Sequence, residues 1–312
     1  MHATSNTIRY LSNTTIDKQK WDACVQSSDV PLLYAASLYL DCMCLHWDAL
    51  VMNDYEVVMP LPHNRKYAVH YLYSPYFVIA GGVFGKRVEA STVLQFIKAI
   101  PKKFLYIDLD LNETNFFPQA LTENGINFKS RINTFLHLHS TYETLFSQYS
   151  TLAKRKIKKA VKYNLQLEES ANAKAVIDLY CEHYKGKDSV IVKFDFGNMI
   201  SLLSTRLKKN TKSYILKSAN GCVCAFYLLL HDDRHVYWLI GGSTEEGKSI
   251  GAFYYLTDQV IRDFAATNRV FRFEGSDHPG IQFFNQQFGG YPVMYPRLTV
   301  NRMPWLLRLL KS

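Results

Sequence analysis

No stretch of this chain approaches the roughly 18 uninterrupted apolar residues that a membrane span requires. The opening segment, MHATSNTIRY, lacks the apolar core of a secretory signal, which speaks against secretion. Cysteine is scarce, six in 312 residues, and Cys24, Cys42, Cys44, Cys181, Cys222 and Cys224 fit no disulfide framework. The pairs Cys42-Met-Cys44 and Cys222-Val-Cys224 have apolar neighbours and no histidine at zinc-ligand spacing, so buried thiols are expected and no metal. A reduced, cytoplasmic protein with no membrane span follows as the expectation. With 48% hydrophobic and 20% charged residues, the composition excludes a disordered chain or a collagen-like fibre. A length of 312 residues exceeds what one core usually serves, so two domains are expected.

Acid is missing where base is dense. Lys and Arg exceed Asp and Glu by 36 to 27, a net charge of +9 that favours anionic partners. From Thr151 to Leu167 there is no carboxylate, while Lys154, Arg155, Lys156, Lys158, Lys159 and Lys162 crowd nine positions. On a helix, Arg155, Lys158, Lys159 and Lys162 form one stripe, and Ala153, Ile157, Ala160 and Val161 form the opposite face. Such a stripe is either a solvated surface or a contact for a phosphate backbone or another anionic partner. Only Tyr163 interleaves it, so no single-strand stacking platform is indicated.

The chain repeats one plan. Its first half reads as strands Trp47–Met52 and Tyr55–Pro60 and an extended stretch Ala68–Ala80 ending at Gly81-Gly82. A helix Glu89–Ile100, a strand Leu105–Leu109, a short helix led by Phe116-Phe117 and a strand Thr134–Leu138 follow. The second half reads as Ser213–Ser218, Cys222–His231 and His235–Ile240, ending at Gly241-Gly242. A helix Ile250–Ala265, a strand Val270–Glu274, a short helix led by Phe283-Phe284 and a last strand ending near Val300 complete it. Between the halves lie the basic helix and helices Ala173–His183 and Asn198–Leu207; the apolar tail from Pro304 to Leu310 is expected to pack back on the body.

Gly242-Ser-Thr-Glu-Glu-Gly247-Lys248-Ser249 matches the phosphate-loop pattern between a predicted strand and a predicted helix. Nucleotide hydrolysis is nevertheless disfavoured. About 63 residues remain after Ser249, too few for the further parallel strands; Glu245 and Glu246 would repel phosphate; Arg272 interrupts the only later apolar strand ending in an acid. The underlying physics survives, because a strand entering a helix leaves N–H groups free to hold an anion. Gly241, Gly242, Ser243, Thr244, Gly247, Lys248 and Ser249 are therefore the expected donor-phosphate site, for the pyrophosphate of coenzyme A, a sugar nucleotide or the end of a tRNA.

Several segments carry a family resemblance: Trp47–Val51 with Tyr55–Pro62, Leu72–Phe77, Lys154–Ala160, and above all Gly280-Ile-Gln-Phe-Phe-Asn-Gln-Gln-Phe-Gly-Gly290. The plan resembles the GNAT acyltransferases, and two such units joined by a basic helical segment resemble the FemAB-type aminoacyltransferases that extend peptidoglycan cross-bridges. The resemblance implies an α/β (α+β) chain of two tandem GNAT-like domains, each a mixed, mostly antiparallel sheet flanked by helices. Residues 1–145 would form the acceptor-side lobe and 146–312 the donor-side lobe, with the basic helix at 151–164. It further implies acyl-CoA or aminoacyl-tRNA as donor and an amine-bearing acceptor such as a cell-envelope precursor. The usual coenzyme A loop is matched only by Glu246–Gly251, without the basic or amide lead and the central glycine, and Asn285 stands where the FemAB type commonly has lysine.

Acyl transfer to an amine needs a base and a polarised carbonyl. No Ser-His-Asp or Cys-His constellation is readable, so direct attack by the acceptor is expected. Glu274, at the end of the central strand of the second half, is the first choice for the base, with Asp277 and His278 as alternates. The competing reading makes Glu274 a cap for the turn Gly275-Ser276 and His278 a loop residue before Pro279. Asp108 is the first-half counterpart of Glu274; His63, His70, His137, His139 and His235 read as structural. The rivals to a transferase are a non-catalytic binding module with a degenerate site and, behind it, a nucleotide-binding protein using Gly242–Ser249.

Overall fold

The computed structural model describes residues 7–66, 69–115, 125–185, 194–275 and 277–304. In chain order the elements are β1 (Ile8–Leu11), α1 (Lys18–Ser27), α2 (Ser37–Met43), β2 (His46–Met52), β3 (Val57–Lys66), β4 (Val69–Tyr73), β5 (Phe84–Gly85), α3 (Ala90–Ala99) and β6 (Phe104–Asp110). Next come β7 (Ile126–His137), α4 (Tyr142–Ser147), α5 (Thr151–Val161), β8 (Gln166–Ser170), α6 (Ala173–Tyr184), α7 (Gly197–Ser204), β9 (Thr211–Lys217) and β10 (Val223–His231). The chain ends through β11 (His235–Ser243), α8 (Glu245–Ile250), α9 (Ala252–Phe264), β12 (Val270–Arg272), α10 (Pro279–Gln286) and β13 (Tyr291–Asn301). The short helix expected at Phe116-Phe117 and the tail after Pro304 lie outside the described residues.

The chain forms two compact units, residues 1–131 with 294–312, and residues 132–293. In the first unit the strand order is β1-β2-β3-β4-β6-β13; in the second it is β8-β9-β10-β11-β12-β7. Each sheet is antiparallel apart from one parallel pair, β4 with β6 and β11 with β12. The repeated plan is therefore present, with one exchange. The last strand of the first half, β7, pairs with β12 of the second unit through Phe135 to His137. The last strand of the chain, β13, pairs with β6 of the first unit through Arg297 to Asn301. This exchange puts the divisions at 131/132 and 293/294, where the sequence reading had placed one at 145/146.

Local chemistry explains the elements. In the first unit α3 buries Val93, Phe96 and Ile97, at i, i+3 and i+4, against Leu61, Leu72, Phe104 and Ile107. In the second unit both α6 and α9 pack on β9–β11. That is why β10 is an apolar run buried at every position from Cys224 to Leu230, without the alternation of a half-exposed strand. Ser150 caps α5 by accepting from the Ala153 N–H at 3.1 Å, and Ala153, Ile157 and Ala160 seat the helix as expected. Val161 does not belong to the seam: at 3.6 residues per turn it lies about 80° away from Ala153, and it is 59% exposed. All six cysteines are free; Cys24, Cys44 and Cys224 are buried, but Cys222 is exposed just before β10, contrary to the expectation of buried pairs.

Candidate active site

The second unit opens a cavity where its parallel pair comes apart. β11 and β12 run together only from His235 opposite Val270 to Tyr237 opposite Arg272. β12 ends there, while β11 continues to Ser243 on its other partner, β10. At the divergence β11 also carries a bulge: Leu228 faces Ile240 and Leu229 faces Trp238, so Leu239 is the extra residue. A bulge beside a splayed edge leaves backbone N–H and C=O groups turned toward open space, where a ligand can use them.

The cavity measures about 450 Å³, within the range that holds a drug-sized ligand. Trp238, Gly241, Gly242 and Ser243 of β11 form one side; Lys248, Gly251, Phe253 and Tyr254 form the next; Ile281 and Phe284 of α10 and His183 and Tyr184 of α6 complete it. The two glycines are not a corner, as the sequence reading had them, but lie inside β11 opposite Tyr227 and Phe226. A Cβ on Gly241 would stand 2.6 Å from Trp238 Nε1, so its absence lets the indole lie against the strand. Gly251, at φ +83°, starts α9 in the left-handed region; a Cβ there would meet the Lys156 carbonyl oxygen at 2.7 Å. Burial pushes the Tyr184 phenol up and the Lys248 ammonium pulls it back, leaving the hydroxyl protonated at neutral pH.

Of the expected phosphate residues, Gly241, Gly242, Ser243 and Lys248 line this cavity; Thr244, Gly247 and Ser249 do not. The reason is α8, a single short helix occupying what would be the loop. Thr244 caps it, accepting from Gly247 N–H at 3.1 Å, and its own N–H donates to Cys224 O at 3.0 Å. Lys248 N–H donates to Thr244 O at 2.8 Å and the Ser249 hydroxyl to Glu246 O at 2.7 Å. The N–H groups at Thr244, Gly247 and Lys248, part of the expected cradle, are thus already used. Lys248 Nζ forms an ion pair with Glu245 at 2.6 Å, on the rim.

Glu274 does not line the cavity. It is buried at φ +54°, accepts from Asn133 Nδ2 at 2.5 Å and pairs with Arg272 Nε at 3.3 Å. Arg272 is itself 1% exposed, with its guanidinium 4.3 Å from the Phe135 ring centroid. A non-glycine residue in the left-handed region carries about 1 kcal/mol or more of strain, which the ion pair and the hydrogen bond from the Asn133 amide hold in place. Asp277 accepts from the Ile132 N–H at 2.9 Å. His278 caps α10, its Nδ1 accepting from Gly280 N–H at 3.2 Å. Ser276, the partner in the alternative turn-cap reading, lies outside the described residues.

The basic stripe is real as a surface. Arg155, Lys158, Lys159 and Lys162 are all exposed, and among the described residues none pairs with an acid. Lys159 Nζ donates to Ser249 O at 2.8 Å, tying α5 to the end of α8.

Among the described residues, the corresponding place in the first unit is closed. β4 ends at Tyr73 opposite Asp108, but Ser74 N–H donates to Asp108 O, Gly81 N–H to Asp110 O and Asn112 N–H to Gly81 O. Asn115 Oδ1 then accepts from Val83 N–H at 2.7 Å, and about 10 Å³ is left. Asp108 is held by Arg297 Nε at 2.6 Å. A separate cavity of about 290 Å³ in this unit is lined by Asp41, Cys44, His46, Trp47, Asp48 and His63 among others. Burial pushes the Asp48 carboxyl up, but hydrogen bonds from His63, Tyr10 and the Asn13 N–H outweigh it and bring it to about 2. Burial drives the Cys44 thiol to about 12, so it is no nucleophile. Among the described residues no cluster of three or more His, Cys, Asp or Glu is placed to hold a metal, and no helix is long and apolar enough to cross a membrane.

No family model matches the chain, and no curated protein matches it in sequence. Solved structures do match in fold. FemX aligns over 97% of this chain and 100% of its own, at 13% identity and a TM-score of 0.64. The C-terminal domain of a putative lysylphosphatidylglycerol synthetase from Agrobacterium fabrum covers 96% of each chain, at 12% identity and a TM-score of 0.57. A tandem GNAT protein from the clavulanic acid biosynthesis pathway covers 96% of this chain and 99% of its own, at 10% identity and 0.55. The fold is therefore FemAB-like and GNAT-related, a mixed α/β architecture in two tandem units.

Proposed function

We propose that this protein is a transferase that moves an acyl or aminoacyl group onto an amine acceptor, with the chemistry in the second unit. The observation that carries this is the open cavity at the divergence of β11 and β12, beside the Leu239 bulge, set against a counterpart in the first unit that its described residues close. The bulged strand offers backbone N–H groups to a carbonyl oxygen on which charge develops during attack. Tyr184, with its hydroxyl protonated, and the His183 imidazole stand on the same cavity to exchange a proton with the incoming amine or the leaving group. Lys248 and the start of α9 at Gly251 form a rim suited to the phosphates of a coenzyme A or tRNA donor. The cations of α5 would hold a longer anionic partner, tRNA among them, and an amine of a cell-envelope precursor in a cytoplasmic setting is the acceptor class we favour.

The buried bonds of Glu274 favour a structural part for it and move the proton-transfer role to the cavity residues. They also lend support to the second reading, a binding module with a degenerate site, since the expected base is tied to Arg272. The deciding test is thermal shift with acetyl-CoA and with charged tRNA, followed by mass-spectrometric detection of transfer to an amine panel. Stabilisation with turnover supports the transferase; stabilisation without turnover, unchanged in Tyr184→Phe and His183→Asn, supports the module.

A further inference from the structure

Resting on that reading, we infer that the group seated in the cavity is an uncharged, bulky acyl chain, aryl or medium-length alkyl, rather than acetyl or aminoacyl. The lining itself selects it. Phe253 and Phe284 touch with ring centroids 5.1 Å apart, Tyr254 and Phe284 at 4.9 Å, and Trp238 and Phe253 at 5.6 Å. These rings lean on one another as one continuous wall. No Asp or Glu is among the described residues that line the cavity. The α-ammonium of an aminoacyl group would therefore be buried without a counter-charge, which is strongly unfavourable. Space points the same way, since the two carbons of an acetyl group would leave most of about 450 Å³ to water against an aromatic surface. At the rim Ile281 is 37% exposed and continues the apolar wall outward.

One polar group inside the wall fixes the chain's orientation. The Trp238 indole N–H, lying over Gly241, has no acceptor among the described residues. It is placed to donate to the carbonyl oxygen of the acyl group while the chain runs along Phe253 and Phe284. In the transfer the acceptor nitrogen's lone pair adds to that carbonyl carbon, the C–N bond forms and the C–S bond of a thioester donor breaks. The proton lost by the amine leaves with the thiol.

Binding of N-acetylcysteamine thioesters that differ only in the acyl group, measured by calorimetry on the full chain, tests this. Octanoyl and phenylacetyl thioesters should bind about tenfold or more tighter than acetyl, given the free energy of burying each added methylene. Propionyl should bind better than alanyl, which differs from it by the ammonium alone. Phe284→Ala should shrink the chain-length preference, and Ile281→Ser at the exposed rim should shrink it less, without the same risk to folding. Trp238→Phe should weaken all members by a similar factor of about 3 to 10, as expected for one lost hydrogen bond. Equal affinities across the series, tighter binding of alanyl, or no binding of any member would overturn the inference. Transfer from acetyl- or aminoacyl-donors with no chain preference would leave the transferase reading standing; a clear preference with no transfer from any donor would count against the transferase and leave the acyl site in place.

Discussion

Replacing Glu274 by Ala separates a structural lock from a catalytic base. In the fold Glu274 offsets the charge of Arg272, 1% exposed, and accepts from Asn133 at 2.5 Å. Removing one partner of a buried ion pair leaves the other charge uncompensated, at a cost of about 3–5 kcal/mol. For a unit of this size, at about 2–4 °C per kcal/mol, the melting temperature should fall by roughly 6–20 °C. Arg272→Met combined with Glu274→Leu should recover most of that loss, because the charge and its desolvation go together. The assay is calorimetric unfolding of wild type, Glu274→Ala, Arg272→Met, Glu274→Leu and the double variant. A Glu274→Ala protein that melts within about 2 °C of wild type, yet has lost all transfer, would refute the lock and restore Glu274 as a base.

Three further outcomes follow from other parts of the molecule. Gly247→Ala puts a Cβ 1.9 Å from the Cys224 carbonyl oxygen, a backbone atom of β10, so α8 must lift away; denaturant unfolding should show a loss of about 2 kcal/mol or more. Asp48, held at about 2 against an ordinary value near 3.9, contributes stability that is complete above about pH 4 and disappears as pH falls toward 2; Asp48→Asn should flatten that part of the stability profile. Changing Arg155, Lys158, Lys159 and Lys162 to Ser should cost little stability beyond the lost Lys159 bond to Ser249 O, because all four are exposed. In filter binding to tRNA it should reduce the salt slope by about 3; an unchanged slope would assign the stripe to solvent.

Short-range patterns were legible in the sequence, and long-range pairings were not. The hairpins of β2–β3 and β9–β10 follow from apolar segments flanking polar turns, and the seam of α5 from its periodicity. The exchange of β7 and β13 leaves no local mark, because a strand's sequence encodes its faces but not which distant edge it joins. The Gly242–Ser249 match encodes a helix, since Thr244 is a strong cap and Gly247 fits against β10. Read as one strand, Val270–Glu274 puts Arg272 and Glu274 on one face, a spacing available as a sign of pairing, although β12 ends at Arg272 and Glu274 reaches its partner from a left-handed turn. The cavity lining was harder to find. His183, Trp238, Phe253 and Phe284 come from four elements and look like ordinary core residues one at a time, although the aromatic clusters beside Gly241-Gly242 and at Phe283-Phe284 were visible.

The most direct test is a crystal structure of the protein with a hydrolysis-resistant analogue of a phenylacetyl thioester. Density for the acyl group between β11 beyond Tyr237 and α10, its carbonyl oxygen within hydrogen-bond reach of the Trp238 indole, is the predicted result. Density only in the first-unit cavity beside His63 and Asp48, with the aromatic wall of the second unit bare, would contradict it.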